Sequence, residues 1–379
     1  MLCSIIIPIY KGNKYIKKLI DMLEQWSNLN GNIRLQIVFV NDFPEQPIVL
    51  PQFKSEYKLS VNVIENQRNM GIHYSRIIGA QYATGEYIIF LDQDDTLDEN
   101  YLISQLQHLK DADAVICNGL YRNGEKIFSK SNPIKKEYSF QEYLECGYPL
   151  VSLGQLLIKR NAIPQQWFDN VIVYNGWDDH FLWALMMFHD VKVNINKDVL
   201  YVHEEDGNNT SFNWKQMSLS GQNFRDIFLK LNLMNDMQEK LFRNMIDSKV
   251  LKYEKYDKLV TLLDNVTSVK LQHYFSLHKI YKVAIYGFGV YGKILYQMLE
   301  DTDVEVIYCI DRRSDIKNAN IPIIPLDEGM GKVDAIIVSV VSSFEEVEKS
   351  IKKCCSFKVI SLLDLLIEIN QMYGTVKSL

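Results

Sequence analysis

A chain of 379 residues has room for two domains, and an apolar fraction of 47% is ample for buried cores, so extensive disorder is not expected. A formal net charge of -6 offers no basic face to displace counterions from a phosphate backbone, which argues against a nucleic-acid partner. No apolar run reaches the roughly 18 residues that span a bilayer, which excludes an integral membrane helix while leaving peripheral membrane contact open.

The opening stretch MLCSIIIPIYKGNKY has no basic residue before its apolar run, is interrupted by Pro8 and lacks a small-residue cleavage site, so it reads as a buried first strand. SIIIPI, LQIVFV and YIIFL are apolar almost without alternation, as central strands covered on both faces should be. Between them, Ile16, Leu19, Ile20, Leu23 and Trp26 recur at helical spacing, which predicts a helix over 15–26 packed on the sheet. Alternation of such strands and helices up to about Leu200 predicts a layered α/β domain.

YIIFLDQDD ends a buried strand in Asp92, Asp94 and Asp95. Three carboxylates at one strand end repel each other unless a cation sits among them, and hard oxygen ligands favour Mg²⁺ or Mn²⁺. The competing reading is an acidic turn that caps a helix near Asp98. In GWDDHF, Asp178 and Asp179 form a second acidic pair, in which like charge and partial burial would raise a carboxylate's proton affinity and suit it to general-base work. Both acids also suit the N-cap of the helix HFLWALMMF, and Trp177 would be either an aromatic wall of a binding site or ordinary core.

From Trp214 to Leu277 the chain turns to long helix-forming stretches without proline. A fresh α/β pattern begins at Tyr281 with KVAIYGFGVYGKILYQML and continues through VEVIYCID, DAIIVSVV and KVISLL. Gly287, Gly289 and Gly292 lie between strand and helix, and Asp311 ends the next strand, which is the context of a dinucleotide-binding loop. No acid-base set of a dehydrogenase follows it. A structural, oligomerising or nucleotide-sensing role is therefore weighed above bound NAD. The expected organisation is 1–215, a helical connector over 216–278, and a smaller Rossmann-like domain over 279–379. Cys3, Cys117, Cys146, Cys309, Cys354 and Cys355 show no C-x-x-C spacing and read as free thiols of a cytoplasmic chain, where the sequons at Asn208 and Asn209 would stay unmodified.

Four segments in order, SIIIPIYKGNKYI, VFVND, NMGIHYSRIIGAQYATGEYIIFLDQDD and YNGWDDHFLWAL, resemble the family 2 glycosyltransferases of the GT-A fold. The resemblance implies an inverting transfer from a nucleotide-sugar donor, by default a UDP-sugar, to a hydroxyl of a glycan or lipid-linked acceptor in bacterial surface polysaccharide synthesis. It implies a donor site formed by Pro8, Ile9, Tyr10, Asp42, Asn69, Gly71, Arg76, Asp92 and Gln93, with Asp42 accepting from the base. Asp94 and His203 would hold the metal, Asp179 would be the base, and Trp177 and Asp178 would face the acceptor. Asn209, Thr210 and Ser211 would order the following loop, and SLGQLLIKR resembles the acceptor-facing strand. Two departures stand out: Phe43 and Pro44 follow Asp42 where Gly-Ser is usual, and Ile77 follows Arg76 where Asn is usual. The last segment resembles Rossmann-like modules appended to polysaccharide enzymes, with IPIIPLDE as the short second-half strand and loop. A nucleotidyltransferase acting on sugar phosphates is the first alternative, although the glycine- and lysine-rich phosphate loop it needs near the first strand is missing. A non-catalytic nucleotide-sensing module is the second, and it has no use for Asp94 and Asp179.

Overall fold

The structure, a computed structural model, describes residues 1–29, 33–52, 59–130, 132–135, 137–204, 213–311, 321–326 and 330–374. The sequons at Asn208 and Asn209, with Thr210 and Ser211, lie outside the described residues, as does the end of IPIIPLDE. The chain divides into two units, Met1–Val250 and Leu251–Leu379.

The first unit is built on an eight-stranded mixed sheet. Its strands are β1 (Leu2–Ile9), β2 (Arg34–Asn41), β3 (Leu59–Glu65), β4 (Tyr87–Phe90), β5 (Thr96–Leu97), β6 (Ala114–Tyr121), β7 (Leu156–Lys159) and β8 (Val193–His203), in the order β3-β2-β1-β4-β7-β6-β8-β5. β1 to β4 run parallel, whereas β7 is antiparallel to both β4 and β6. The apolar runs occupy the middle: Ile5, Ile6, Ile7, Ile37, Val38, Phe39, Ile88 and Ile89 are fully buried. In register, Ile9 pairs with Asn41 and Ile6 with Phe90, so the carboxyl ends of β1, β2 and β4 converge. Chain direction across the sheet reverses at β1, and open α/β sheets bind ligands beyond strand ends at such a switch point.

The helices of this unit are α1 (Asn13–Leu29), α2 (Ile72–Tyr82), α3 (Tyr101–Leu109), α4 (Phe140–Cys146), α5 (Gln165–Asp169), α6 (Asp178–Phe188) and α7 (Trp214–Lys230), followed by α8 (Asp236–Leu263), inside which the division between units falls. The apolar face expected of α1 is sealed against the sheet: Ile16, Leu19, Ile20, Leu23 and Trp26 are all buried. α6 is apolar nearly all round, as a helix enclosed on every side must be. Its Phe181 packs on Phe224 and Phe228 of α7, and Phe242 of α8 closes the cluster at 4.9 Å from Phe228.

The second unit holds the end of α8, then α9 (Ser268–Leu277), β9 (Lys282–Tyr286), α10 (Val290–Glu300), β10 (Glu305–Ile310), β11 (Ile323–Ile324), β12 (Ala335–Val338), α11 (Phe344–Cys354), β13 (Lys358–Ser361) and α12 (Leu362–Met372). Its sheet is parallel throughout, in the order β11-β10-β9-β12-β13. Within the unit this is strand order 3-2-1-4-5, a doubly wound arrangement with its switch point between β9 and β12. Among the described residues no helix is long and apolar enough to cross a membrane. All six cysteines are free.

Candidate active site

The first unit gathers its polar chemistry where β1, β2 and β4 end. Tyr10 leaves β1 exposed, edge-on to Phe43 at 5.5 Å, with the Lys11 ammonium over both rings at 5.3 and 5.0 Å. Gln93, in the middle of the acidic turn, clasps this loop: its Oε1 accepts from Tyr10 N at 3.0 Å and its Nε2 donates to Tyr10 O at 3.2 Å. Gly12 leaves room for that amide, since a Cβ there would stand 2.1 Å from Gln93 Oε1. Pro8 and Ile9, expected to line the donor base, are buried inside β1, because the strand is covered on both faces and only Tyr10 emerges from it.

Asp42 is buried just beyond β2. Its Oδ1 accepts from Asn66 Nδ2 at 2.8 Å and Met70 N at 2.7 Å, and its Oδ2 accepts from Gly71 N at 2.9 Å. One carboxylate thus shapes the loop before α2, with Oδ2 keeping acceptor capacity for a further donor. Asn69 Oδ1 also accepts from Gly71 N, at 3.1 Å. Gly71 has φ +90°, a conformation that side chains with a Cβ rarely adopt, and Asn175 Oδ1 lies 3.1 Å from where that Cβ would be.

The acidic turn does not act as one cluster, because Asp92 and Asp95 face different partners. Asp92 accepts from Arg76 Nη2 at 2.5 Å and from Ser152 Oγ at 3.0 Å. Asp95 is buried, accepts from the Tyr201 hydroxyl and from Glu204 N at 3.0 Å, and faces His203 Nδ1 at 3.4 Å. Asp94 is half-buried between them. The two-residue strand β5 follows the turn directly and pairs Leu97 with Tyr201 on β8, which is why His203 arrives beside the turn. Burial raises the Asp95 carboxyl above its ordinary range against the pull of His203 and Tyr201. Burial lowers His203, yet its bond to Asp95 and the charges of Asp95, Asp92 and Asp94 outweigh this and raise it. The reading of this turn as a cap for the next helix is corrected: α3 starts after Asn100, with no side-chain cap.

Arg76 joins this turn to α6. Buried on α2, it sends Nη1 to Asp178 Oδ2 and Nη2 to Asp92. Burial opposes its charge, but Asp178, Asp92 and Asp179 more than restore it. Asp178 and Asp179 lie in the first turn of α6, where negative charge meets the positive end of the helix dipole; Trp177 is the N-cap and neither acid caps the helix, contrary to expectation. Asp179 is partly exposed, and its Oδ1 accepts from His180 N at 2.7 Å. Burial of the carboxyl and the like charge of Asp178 push its pKa up to about 8, against the pull of Arg76.

The acceptor-side assignments need correction. Asp178 is buried and committed to Arg76, so it holds the guanidinium and presents nothing to an acceptor. Trp177 is fully buried, tilted on His180 at 4.3 Å and on Phe224 at 5.8 Å, so it packs the core beneath the site. Asp95 was legible in the sequence only as one acid of the turn, and no local signal marked Tyr201, or Ser152 as an Asp92 partner.

In the second unit, Gly287 has φ +87° and Gly292 packs on its carbonyl, where a Cβ would stand 2.0 Å from Gly287 O. Gly289 faces open space at the N-cap of α10, and Asp311 Oδ2 accepts from Phe288 N at 2.8 Å. The acid expected to meet a ribose therefore also braces the glycine loop.

The chain that carries this site has relatives among known proteins. Residues 4–164 match the family model for Glycosyl transferase family 2. The match runs from β1 through β7, and the α/β fold with its mixed sheet is the one the GT-A resemblance implies. Among curated relatives, the minor teichoic acid biosynthesis protein GgaB of Bacillus subtilis (strain 168) is 25% identical over 295 residues, covering 70% of this chain and 32% of that protein. An uncharacterized glycosyltransferase of Haemophilus influenzae is 33% identical over 92 residues, covering 24% of this chain and 29% of that protein. The matches thus span about a third of the length of these two relatives. Among solved structures, S. aureus TarS 1-349 in complex with UDP-GlcNAc is 15% identical, with a TM-score of 0.48, covering 66% of this chain and 72% of that chain.

Proposed function

We propose that this chain is an inverting glycosyltransferase that moves a sugar from a nucleotide diphosphate donor, by default a UDP-sugar, to a hydroxyl of a glycan or lipid-linked acceptor in bacterial surface polysaccharide synthesis. The observation that carries this reading is the Arg76 bridge, which ties the acidic turn at Asp92 to the paired acids of α6 in one site. The family match over 4–164 supports it.

Tyr10, Asp42, Asn69, Gly71, Arg76, Asp92 and Gln93 shape the donor side. Asp94 and His203 fit a divalent cation, Mg²⁺ or Mn²⁺: His203 turns Nδ1 to Asp95 and Tyr201, the orientation in which a histidine offers Nε2 to a metal. Among the described residues no cluster of three or more His, Cys, Asp or Glu side chains is placed to hold an ion by itself, so diphosphate oxygens and water would complete the shell. When bound, such an ion neutralises charge on the departing diphosphate. Asp179 takes the acceptor's proton as the acceptor oxygen bonds to the anomeric carbon. The bond from that carbon to the diphosphate breaks, and its electron pair leaves with the nucleoside diphosphate. The second unit we read as a Rossmann-like module with a structural, oligomerising or nucleotide-sensing role.

Incubation with a panel of UDP-sugars and Mn²⁺, watching for UDP, tests the reading against incubation with nucleoside triphosphates and sugar phosphates, watching for pyrophosphate. UDP release supports it; pyrophosphate alone overturns it in favour of nucleotidyl transfer. A melting-temperature screen with the same donors identifies the sugar, because a ligand of the native state raises stability by mass action.

A further inference from the structure

The wall expected of Trp177 has another candidate. Tyr148 follows α4 and lays its ring on His180 at 4.5 Å, immediately after Asp179, with Trp183 edge-on at 6.1 Å. Its ring is partly exposed, unlike that of Trp177. Its hydroxyl is shut off from solvent and has no hydrogen-bond partner among the described residues, and the neighbouring His180 Nδ1 is in the same state. Burial, followed by the charge of Asp179, pushes the phenol well above its ordinary range, so it stays a neutral donor and acceptor. Buried polar groups in native proteins are nearly always paired, so two unpartnered atoms on tilted, touching rings next to Asp179 suit a polar group from outside the chain. The donor-side residues lie at the ends of β1 and β2, on α2 and the loop before it, and in the acidic turn, whereas this pair belongs to α6 and the segment that follows α4.

Resting on the glycosyl-transfer reading, we propose that Tyr148 positions the acceptor: its ring packs against the acceptor's apolar face, and its hydroxyl, with His180 Nδ1, holds the hydroxyl that Asp179 deprotonates. The bond made and the bond broken are those of the transfer itself, and Tyr148 exchanges no proton. An aromatic ring with a polar tip suits a sugar or polyol, which presents C–H faces and hydroxyl edges together.

The test is Tyr148→Phe in the full chain, with UDP-sugar as donor and glycerol as the acceptor probe, read as UDP release. The variant should raise the glycerol KM about threefold to tenfold, the loss of one hydrogen bond, with kcat little changed. Donor affinity should match the unaltered chain, and the melting temperature should hold or rise, because an unpaired hydroxyl is removed. An unchanged glycerol KM overturns the proposal alone. A fall in kcat at saturating glycerol with KM unchanged, or a lowered melting temperature, also overturns it, by showing that Tyr148 acts on Asp179 or on the fold. If the unaltered chain releases no UDP from any donor, the glycosyl-transfer reading fails and takes this assignment with it.

Discussion

Asp179→Asn is the sharpest test of the proposed chemistry. The amide keeps the size of the side chain and an oxygen that can accept from His180 N, but it cannot take a proton from an acceptor. Loss of a general base lowers kcat by about 10²–10⁴-fold. Donor affinity should be unchanged, because no donor-side residue bonds to Asp179. The same substitution has a stability signature. The carboxyl's ordinary pKa is 3.8 and its folded value is about 8, so between these values the folded chain holds a proton that the unfolded chain has lost. A raised folded pKa contributes stability that is complete below the unfolded value and lost as pH rises through the folded one, at up to about 1.4 kcal/mol per pH unit. Asp179 is partly exposed, and solvent screening cuts the nominal total to about 2 kcal/mol. Asparagine carries no such penalty. The variant should melt roughly 4–8 °C above the unaltered chain at pH 9 and converge with it near pH 4, given a unit of this size. UDP release against pH should rise toward pH 8 in the unaltered chain, as the ionised base forms, and the variant should lack that limb. Transfer above a tenth of the normal rate, or equal melting at pH 9, would refute the assignment.

Four further outcomes follow from the geometry. Arg76→Met strands two carboxylates and should cost about 3–5 kcal/mol in denaturant melts, partly restored by adding Asp178→Asn; unchanged stability would mean that the bridge contributes nothing. Asp95→Asn should raise the Mn²⁺ concentration for half-maximal UDP release by about 10–100-fold, with no change if His203 needs no orienting partner. His73, buried with Nδ1 accepting from Ile172 N at 2.8 Å, has its pKa lowered by burial to about 4, so melting temperature should fall as pH drops from 6.5 toward 4, and fall less in His73→Gln. Gly292→Ala drives a Cβ into the Gly287 carbonyl and should destabilise the second unit by about 1–3 kcal/mol, visible by hydrogen exchange in β9 and α10.

Features with a local cause were legible in the sequence. SIIIPI, LQIVFV and YIIFL are central strands because unbroken apolar runs exclude a solvated face, and the spacing from Ile16 to Trp26 marks the buried side of α1. The turn from β9 into α10 was equally readable, since Gly287 and Gly292 meet a steric demand set within six residues. What the sequence hid depends on partners far along the chain. β7 enters antiparallel between β4 and β6, and nothing in LLIK specifies that neighbour. DQDD reads as one acidic cluster, yet Arg76 of α2 takes Asp92 while Tyr201 and His203 take Asp95, the latter through contacts made only once β5 pairs with β8. Trp177 and Tyr148 are alike as residue types for a sugar wall; burial alone separates them, and burial is decided by how α7 covers α6.

The Arg76 bridge also constrains how this site can change over generations. One guanidinium answers two carboxylates from distant parts of the chain, so loss of Arg76 strands both acids, whereas loss of Asp92 or Asp178 leaves the guanidinium matched by the other. Drift at Arg76 passes through a form with an unmatched buried charge at Asp178 unless that acid has gone first. Arg76 should therefore stay fixed among descendants of this chain for as long as both acids remain.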